Sequence, residues 1–493
     1  MALLIGDIFR RTAAMFPDRV AATFEEAALT YAELNAQGNQ LARVLQRSGI
    51  GAGVRVVTWA ETMLDIAPLF VALAKVGAVF APLNARLEPE EATRIAAYAR
   101  PAALVTDARH AEAAEQMART MAVPLFRLGG GPGPGTSLRD AASTASDAEP
   151  TGVAIRETDT HVIFFTSGSS GRPKGVMLSH RANYLRSYQG VFVDVPERTV
   201  CMFPLFHMAA FTVALAAWQT CGEITFLETP TADALLGAVT RRRANRLYCI
   251  PAVWARVLAA DTRRFDLSSL RILDTGTSAT PPELLSGLKE RFPGTVTRVY
   301  YGSTEAGAGT ALPDRDVRRK PGSVGQPVPG VELRQTAAGE ICLRSECLMD
   351  GYFDNPDATA AALVDGWYHT GDLGMVDDEG YLWITGRLSE IIRTGGEAVA
   401  PFEVEAALAT HPAIAEVAVI GTPDPQWGEA VCAVVVHRPG APLELDDLRR
   451  HCEGRLARFK HPRRLEVVDA LPRTAATGQI QRTLLAERLA SRS

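Results

Sequence analysis

The sequence predicts an α/β fold in more than one domain, and three observations lead to this prediction. The chain has 493 residues, which is too many for one ordinary hydrophobic core. Hydrophobic residues make up 47% of it and charged residues 22%, so the composition indicates neither disorder nor a fibrous repeat. Short apolar segments alternate with helical patterns, which is typical of parallel sheets covered by helices.

The first elements can be predicted in chain order. The segment "MALLIGDIFRRTAAMF" mixes acidic and basic residues with apolar ones, which favours an amphipathic helix over a signal peptide. Thr30 and Glu33 have the spacing of a capping box, so a helix is predicted to begin there. The segments "VRVVTWA", "AALVTD" and "HVIFFTS" are apolar and bounded by polar residues or Gly and Pro, and they predict strands.

Two further segments in this first part stand out by their composition. The most apolar stretch, residues 66–83, contains Lys75, Gly77 and two prolines, so it is too interrupted and too short to span a membrane. Residues 128–150 are rich in Gly, Pro, Ser and Asp without periodicity, which predicts an exposed connector.

The pattern changes after Asp372, and a domain boundary is predicted near Arg387. "YLWITGR" predicts a strand, and a helix is predicted to begin near Pro401 after a Gly-Gly turn. Beyond it, "EVAVIG", "AVCAVVVH" and "RRLEVVD" predict strands with helices between them. We therefore expect a large domain over residues 1–386 and a small α+β domain over residues 387–493.

Charge and cysteine content exclude several classes of function. A net charge of −5 provides no basic surface for nucleic acid. The seven cysteines show no C-x-x-C spacing, so neither a zinc site nor a disulfide framework is indicated, and reduced thiols in a cytoplasmic protein are expected. The sequence leaves the oligomeric state open.

The segment "FFTSGSSGRPKG", residues 164–175, combines hydroxyls, glycines and one lysine after an apolar strand. These groups suit a loop that binds phosphate through backbone N–H groups and hydroxyls. The segment is not a Walker A loop, because Gly168 and Gly171 are too close together and Pro173 precedes Lys174. Alone, it would equally fit an ordinary surface turn.

Three further motifs follow in order: "VYYGSTEAG" at 299–307, "WYHTGDLG" at 367–374 and "GRLSEIIRTGGEAVAPFEVE" at 386–405. With all four, the chain resembles the adenylate-forming enzymes over essentially its whole length, a superfamily of acyl-CoA synthetases, peptide-synthetase adenylation domains and luciferases. The resemblance implies a large N-terminal domain of stacked, helix-covered β-sheets and a small mobile C-terminal domain. It also implies two half reactions, in which a carboxylate attacks the α-phosphate of Mg-ATP and a thiol then displaces AMP from the acyl-adenylate.

By this resemblance, the nucleotide site comprises residues of five segments: Thr166, Ser167, Gly168, Ser169, Ser170, Gly171, Lys174, Gly276, Thr277, Ser278, Tyr300, Tyr301, Gly302, Ser303, Thr304, Asp372 and Arg387. The first seven of these residues would cover the β- and γ-phosphates. Tyr301 resembles the aromatic residue that stacks on adenine, Thr304 the hydroxyl at the α-phosphate, and Glu305 the carboxylate that holds Mg²⁺.

The resemblance also assigns roles around the sugar and the acyl group. Asp372 would accept hydrogen bonds from both ribose hydroxyls and Arg387 would add a donor to the same sugar. His207 resembles the gate near the substrate carboxylate, although a lone histidine in an apolar run is otherwise usually a core residue. Thr277 stands where a second glycine is common, which predicts an unusual acyl pocket.

The C-terminal motif supplies the hinge and the thiol side. Ser389 falls at the hinge position, usually Asp or Lys, about which the small domain turns between half reactions. Gly395 and Gly396 match the loop that lines the pantetheine tunnel, where the absence of side chains leaves room for coenzyme A.

The last motif departs from the family pattern in "LPRTAATGQIQR". An extra alanine is present, Ala475 or Ala476, and Gln479 replaces the lysine that bridges the substrate carboxylate and the α-phosphate during adenylation. Glutamine donates a hydrogen bond but cannot neutralise charge. Loss of such a cation typically costs on the order of 10²–10³ in rate.

These assignments lead to a hypothesis with several alternatives. The enzyme is expected to be an acid–thiol ligase specialised for converting acyl-AMP and coenzyme A to acyl-CoA and AMP, with a separate ligase supplying the adenylate in specialised metabolism. A complete ATP- and Mg²⁺-dependent synthetase, an adenylation protein that loads a carrier protein, and a nucleotide-binding relic without catalysis are the alternatives. Arg473, Arg482 or Lys460 could also replace the missing lysine.

Overall fold

The computed structural model describes residues 2–166, 173–188, 196–438, 443–473 and 480–490. The predicted Ser167, Gly168, Ser169, Ser170, Gly171 and Gln479 lie outside these residues. The chain forms two compact units. The first comprises Met1–Arg319, Val328–Val331 and Arg344–Tyr368, and the second comprises Lys320–Pro327, Glu332–Leu343 and His369–Ser493. Compactness does not locate a hinge, so the predicted domain boundary at Arg387 stays a prediction.

The strands, in chain order, are β1 (Val20–Phe24), β2 (Ala27–Thr30), β3 (Arg55–Trp59), β4 (Val79–Leu83), β5 (Ala103–Thr106), β6 (Leu125–Arg127), β7 (Thr136–Ser137), β8 (Thr160–Thr166), β9 (Lys174–Ser179), β10 (Arg198–Cys201), β11 (Glu223–Phe226), β12 (Arg246–Tyr248), β13 (Ile272–Gly276), β14 (Val296–Ser303), β15 (Gly307–Leu312), β16 (Gln326–Pro327), β17 (Glu332–Gln335), β18 (Glu340–Arg344), β19 (Gly351–Tyr352), β20 (Leu363–Val364), β21 (Trp367–Val376), β22 (Leu382–Arg387), β23 (Ile392–Thr394), β24 (Glu397–Val399), β25 (Ile414–Asp424), β26 (Gly428–His437) and β27 (Arg464–Val467).

The helices are α1 (Ile5–Met15), α2 (Tyr31–Arg47), α3 (Ile66–Val76), α4 (Pro89–Ala99), α5 (Ala111–Met121), α6 (Leu138–Ala142), α7 (His180–Arg186), α8 (Met208–Gln219), α9 (Ala232–Arg242), α10 (Pro251–Ala259), α11 (Pro282–Arg291), α12 (Pro356–Ala362), α13 (Pro401–Leu408), α14 (Leu445–Cys452) and α15 (Arg482–Ala490). The predicted α/β class is confirmed. Among the described residues, no helix is both long and apolar enough to cross a membrane.

Two sheets made mainly of parallel strands form the first unit. In one, the order is β15-β14-β13-β12-β10-β11-β1-β2, and in the other it is β19-β9-β8-β4-β3-β5-β6-β7. The outer pairs β1–β2, β14–β15, β8–β9 and β9–β19 are antiparallel, whereas the inner pairs are parallel. Parallel strands need covering on both faces, which explains why their sequences are continuously apolar.

Helices α3 and α8 lie in the interior of this unit. Every residue of α3 is buried, including Lys75, and α8 buries most of its residues. Phe70 of α3 stacks on Phe211 of α8 with ring centroids 4.6 Å apart. A helix that is apolar on all sides is expected to be a core helix when it is too short for a membrane, and Gly77 ends α3 in a left-handed conformation.

The sequence prediction of an exposed connector over residues 128–150 was wrong in two respects. The segment contains β7 and α6, the latter capped by the Ser137 hydroxyl. Glu149 also reaches the buried Lys75 ammonium at 2.8 Å, beside Asn35 and Asn39. The buried charge of Lys75 needs this partner, and the two residues are too far apart in sequence for any local pattern to reveal the pairing.

The second unit contains two smaller sheets. One has the order β17-β18-β21 with β22 paired to β21, and the other has the order β24-β23-β26-β25 with β27 paired to β26. The long hairpin β25–β26 alternates its side chains between two faces. Val419, Val431 and Ala433 pack with α13 and α14, while Ile420 and Cys432 pack with α15.

A buried ionic network crosses three adjacent strands of the first unit. The Asp274 carboxylate on β13 accepts hydrogen bonds from Arg246 on β12 at 2.6 Å and from Arg298 on β14 at 2.7 Å. Burial alone would raise the pKa of Asp274, but the two guanidinium groups outweigh it and hold this pKa below its usual value. Arg246 Nη1 also lies 2.7 Å from Glu197 Oε2.

We predict that Asp274→Asn lowers the free energy of unfolding by roughly 3–5 kcal/mol, because it leaves buried positive charge without its central partner. Chemical denaturation at neutral pH measures this change. Asp266→Asn is the control, since Asp266 forms an exposed pair with Arg243 and should change stability by about 0.5 kcal/mol or less. Equal stability of the two variants would contradict the assigned importance of the network.

Candidate functional site

The carboxyl ends of β13 and β14 bring two of the predicted segments together. The strands are parallel and Gly276 is in register with Tyr300. A Cβ atom on Gly276 would lie 2.3 Å from the Tyr300 carbonyl oxygen and 3.0 Å from the Tyr248 hydroxyl, so only glycine fits there. The close approach of these backbones places Thr277 and Ser278 beside the segment that begins at Tyr301.

Tyr300 and Tyr301 face opposite sides of β14, as adjacent strand residues do. The ring centroids of Tyr300 and Tyr248 are 6.3 Å apart, and the Arg298 guanidinium lies 5.7 Å from the centroid of the Tyr300 ring. Burial raises the pKa of the Tyr300 hydroxyl. Tyr300 therefore belongs to the surroundings of Asp274, and Tyr301 stays the residue predicted to stack on adenine.

Thr277 adopts an unusual backbone conformation. Its φ angle is +68°, in the left-handed region that glycine favours and β-branched residues rarely occupy. Its hydroxyl donates a hydrogen bond to the Gly276 carbonyl at 2.6 Å. The sequence expectation that glycine is the usual residue at this position agrees with this geometry, and threonine introduces strain there.

Thr304 and Glu305 lie in a tight turn between β14 and β15. A Cβ atom on Gly302 would lie only 1.9 Å from the Gly307 carbonyl oxygen, so the hairpin requires glycine there. The Ser303 hydroxyl accepts a hydrogen bond from the Ala306 N–H at 3.1 Å. The motif "YGSTEAG" thus contains the residues that form the turn as well as those predicted to bind the nucleotide.

Arg186 holds this turn in place, and the sequence analysis missed it. Its guanidinium donates to the carbonyl oxygens of Thr304, Glu305 and Cys347, each at 2.7 Å. Burial lowers the pKa of Arg186 to about 10, so the group still carries its charge at neutral pH. Arg186 ends helix α7, 118 residues before Thr304, and no spacing rule connects the two.

Thr166 and Lys174 flank the predicted phosphate loop. They pair across the antiparallel strands β8 and β9, which fixes both ends of the segment between them. The Lys174 ammonium lies 4.7 Å from the centroid of the Tyr352 ring. The Tyr352 hydroxyl in turn donates to Glu305 Oε1 at 3.0 Å, a contact that sequence reasoning also missed.

His207 caps helix α8 with its ring. Nδ1 accepts a hydrogen bond from the Ala209 N–H at 3.2 Å, and the ring stacks on Phe203 with centroids 5.6 Å apart. Burial lowers the pKa of His207 to about 4, so the imidazole is neutral at physiological pH. The predicted gate therefore provides shape and polarity, but no positive charge.

In the second unit, Asp372 and Arg387 meet across the β21–β22 hairpin. They are directly opposite in register, and Arg387 Nε lies 2.8 Å from Asp372 Oδ1. Asp372 is buried, whereas the Arg387 side chain is about half exposed. The two residues predicted to bind one sugar are thus neighbours, as that role requires.

The residues predicted for the hinge and the thiol side follow Arg387 in the chain. Ser389 lies in a single 3₁₀ turn, Leu388–Glu390. Gly395 and Gly396 connect β23 to β24 with φ angles of +61° and +85°. A Cβ atom on Gly395 would lie 2.7 Å from the Trp427 ring, and the Arg463 guanidinium lies 3.9 Å from the centroid of that ring.

One cluster in the described residues offers donor atoms of the kinds that bind transition metals. Glu340, Cys342 and His369 lie together in the second unit. His369 Nδ1 is 2.8 Å from Glu340 Oε2 and 3.5 Å from Cys342 Sγ, and the shorter distance is that of a hydrogen bond. Among the described residues His369 Nε2 has no hydrogen-bond partner, whereas the second nitrogen of a metal-binding histidine usually has one. The cluster is explained by hydrogen bonding alone.

Comparison with known proteins gives consistent matches along the chain. The family model described as "AMP-binding enzyme" matches residues 9–353, and the model described as "AMP-binding enzyme C-terminal domain" matches residues 403–477. An indoleacetate–CoA ligase of Aromatoleum aromaticum is 33% identical over 482 residues, covering 94% of each chain. A feruloyl-CoA synthase of an Amycolatopsis species is 35% identical over 489 residues, covering 95% of this chain and 96% of the relative.

Solved structures show the same similarity. ATP-bound MatB from Rhodopseudomonas palustris superposes with a TM-score of 0.88 at 28% identity, covering 99% of each chain. The anthranilate CoA ligase AuaEII in complex with anthranoyl-AMP gives a TM-score of 0.86 at 26% identity, covering 99% of this chain and 98% of that one.

The geometry of Thr277 generates a prediction about stability. Thr277→Gly should raise the free energy of unfolding by about 1 kcal/mol, because it relieves the left-handed strain. Thr280→Gly is the matched control in the same loop; Thr280 has no positive φ angle, so this change should lower stability. Denaturant titration compares the three proteins, and destabilisation of equal size in both variants would contradict the assignment of strain to Thr277.

Proposed function

Because the chain belongs to the AMP-binding enzyme family, we propose that it converts an acyl-adenylate and coenzyme A to acyl-CoA and AMP, and that it forms the adenylate poorly by itself. The coarser statement, that the chain is an acid–thiol ligase of the acyl-CoA synthetase type, follows from its relatives. Their named acids range from indoleacetate and ferulate to long-chain fatty acids, so the proposal extends to carboxylic acids as a class.

The resemblance of the last motif to the family pattern carries this proposal, because it puts the glutamine Gln479 at the position of the adenylation lysine. During adenylation the carboxylate oxygen attacks the α-phosphorus, and the bond to pyrophosphate breaks while negative charge is present on both partners. A fixed cation there is worth about 3–4 kcal/mol, which corresponds to about 10²–10³ in rate. The neutral amide of glutamine cannot supply this charge.

The three cations named above as possible replacements for the lysine are already paired within the second unit. Arg473 contacts Glu416 at 2.5 Å, and Arg482 contacts Glu405 at 2.7 Å and Glu390 at 3.2 Å. Lys460 forms an ion pair with Glu403. Each of these groups would have to give up a carboxylate to act in place of the lysine, which supports the proposal that the charge is missing.

The neutral His207 supports it as well. Because its pKa is lowered to about 4, the imidazole is uncharged at neutral pH and cannot offset charge at the substrate carboxylate. Arg186 is positively charged but directs its donors to three backbone carbonyl oxygens. Neither group provides a positive charge aimed at the reacting carboxylate.

The residues present fit the groups that the family uses. Glu305 is a hard oxygen donor of the kind that Mg²⁺ prefers, and no hydrogen bond to its Oε2 atom is found within the described residues. Mg²⁺, when bound, would neutralise charge on the phosphates. The tight glycine contacts at Gly276 and Gly302 leave backbone rather than side chains beside the proposed nucleotide site.

The thioesterification half does not need the missing cation. The sulfur of coenzyme A attacks the acyl carbon, the bond from that carbon to the phosphate oxygen breaks, and AMP leaves with the electron pair while the thiol proton passes to solvent. Asp372 and Arg387 would keep the sugar of AMP in place, and Gly395 and Gly396 would admit the pantetheine chain. A separate adenylating ligase in the same cytoplasm would then supply the acyl-adenylate.

A complete two-step synthetase is the second candidate. The features that favour it are Thr304, Glu305 and Lys174, which match the adenylation side of the family and are retained here. The two candidates differ in one measurable respect, which is the rate of acid-dependent exchange of pyrophosphate into ATP.

We predict that Gln479→Lys raises acid-dependent pyrophosphate exchange by about 10²–10³. The acid is chosen first, as the one whose chemically prepared adenylate the wild-type enzyme converts to thioester fastest in a panel of aromatic and aliphatic acids. Thioesterification of the supplied adenylate should change by no more than about threefold, because the lysine acts only in the first half.

Gln481→Lys is the matched control, since it adds the same charge two residues away and should leave exchange unchanged. Rapid exchange by the wild-type enzyme, with no gain in Gln479→Lys, would favour the complete synthetase. Failure of the wild-type enzyme to use any supplied adenylate with coenzyme A would favour a nucleotide-binding relic.

A further inference from the structure

Tyr352 connects two residues predicted to act on the phosphates. It lies at the end of β19, which pairs with β9 so that Tyr352 is opposite Val176, two residues after Lys174. Its hydroxyl donates to Glu305 Oε1 at 3.0 Å, and the Lys174 ammonium lies 4.7 Å from its ring centroid. A cation at this distance from an aromatic ring is attracted to it.

The backbone of Glu305 is already fixed by other groups. Arg186 and the Met349 N–H both donate to the Glu305 carbonyl oxygen at 2.7 Å. A fixed backbone still leaves the carboxylate free to rotate about its own side-chain bonds. Among the described residues, the Tyr352 hydroxyl is the only group that donates a hydrogen bond to this carboxylate.

Tyr352 is held in a restricted environment. Its side chain is buried, with only 6% of the residue exposed. Its hydroxyl also takes part in a hydrogen bond with the Tyr368 hydroxyl, which restricts its rotation.

We propose that Tyr352 is a positioning residue for divalent-metal binding at Glu305: it holds Oε1 so that Oε2 faces the metal, and it links this carboxylate to Lys174. The proposal rests on the metal-binding role of Glu305 within the proposed function. A carboxylate held in one orientation binds a metal more tightly than a rotating one, because less side-chain entropy is lost on binding.

The test measures binding and not turnover. Isothermal titration calorimetry measures the affinity for ATP first in EDTA and then at increasing Mg²⁺ concentrations. The ratio of these affinities gives the increase in ATP affinity that Mg²⁺ produces. In Tyr352→Phe, which keeps the ring and loses the hydroxyl, this increase should fall about tenfold and half-saturation should need more Mg²⁺. ATP affinity in EDTA should stay within about twofold of wild type, because the changed contact concerns the metal ligand.

Tyr31→Phe is the matched control. Tyr31 is a buried tyrosine of the same unit, and its hydroxyl donates to the Gly222 carbonyl at 2.6 Å, so it also loses one buried hydrogen bond. Its Mg²⁺-dependent increase should equal that of wild type. Thermal melting of both variants confirms that each is folded.

Three results would overturn the proposal. The Mg²⁺-dependent increase in Tyr352→Phe could equal that of wild type or exceed it, in which case the hydroxyl does not aid metal binding. The affinity of Tyr352→Phe for ATP could fall equally with and without Mg²⁺, which is the result expected if the hydroxyl has only a general structural role. Wild type could show no Mg²⁺-dependent increase at all, which removes the metal role of Glu305. The titration needs no turnover, so an enzyme that lacks adenylation activity still gives the expected result. Failure of the Tyr352 proposal can therefore be distinguished from failure of the half-reaction proposal.

Discussion

The geometry of the candidate site depends on one buried carboxylate. Asp274 joins Arg246 and Arg298 across three adjacent parallel strands, and the last residues of two of these strands form the Gly276 and Tyr301 segments. Removing ions from water is costly, so such a network is retained only when every member has a partner. It fixes the relative position of β13 and β14, and Gly276 can then approach the Tyr300 carbonyl closely enough to exclude any side chain.

A second set of contacts holds the side chains that are predicted to bind the nucleotide and Mg²⁺. Arg186 binds the carbonyl oxygens of Thr304 and Glu305, and Tyr352 binds the Glu305 carboxylate. These contacts join segments of the first unit that are distant in sequence. The residues expected to touch the phosphates therefore share a common support, and sites held in this way lose little entropy when a ligand binds.

The sequence was sufficient for features that arise from local chemistry. The capping box at Thr30, the strands that contain Thr166 and Arg387, and the Gly-Gly turn between β23 and β24 follow from short-range patterns, and the structure confirms these elements. The pairing of Glu149 with Lys75 and the contacts of Arg186 could not be predicted, because they join residues more than 70 positions apart. The positive φ angle of Thr277 could not be predicted either, since threonine disfavours it.

The central claim is that the enzyme is asymmetric between its two half reactions because Gln479 supplies no charge. Single-turnover quench experiments on one wild-type preparation test it most directly, first with Mg-ATP and the acid and then with the matching acyl-adenylate and coenzyme A. We expect the rate constant for thioester formation to exceed that for adenylate formation by at least about 100-fold. Rate constants of similar size would contradict the account.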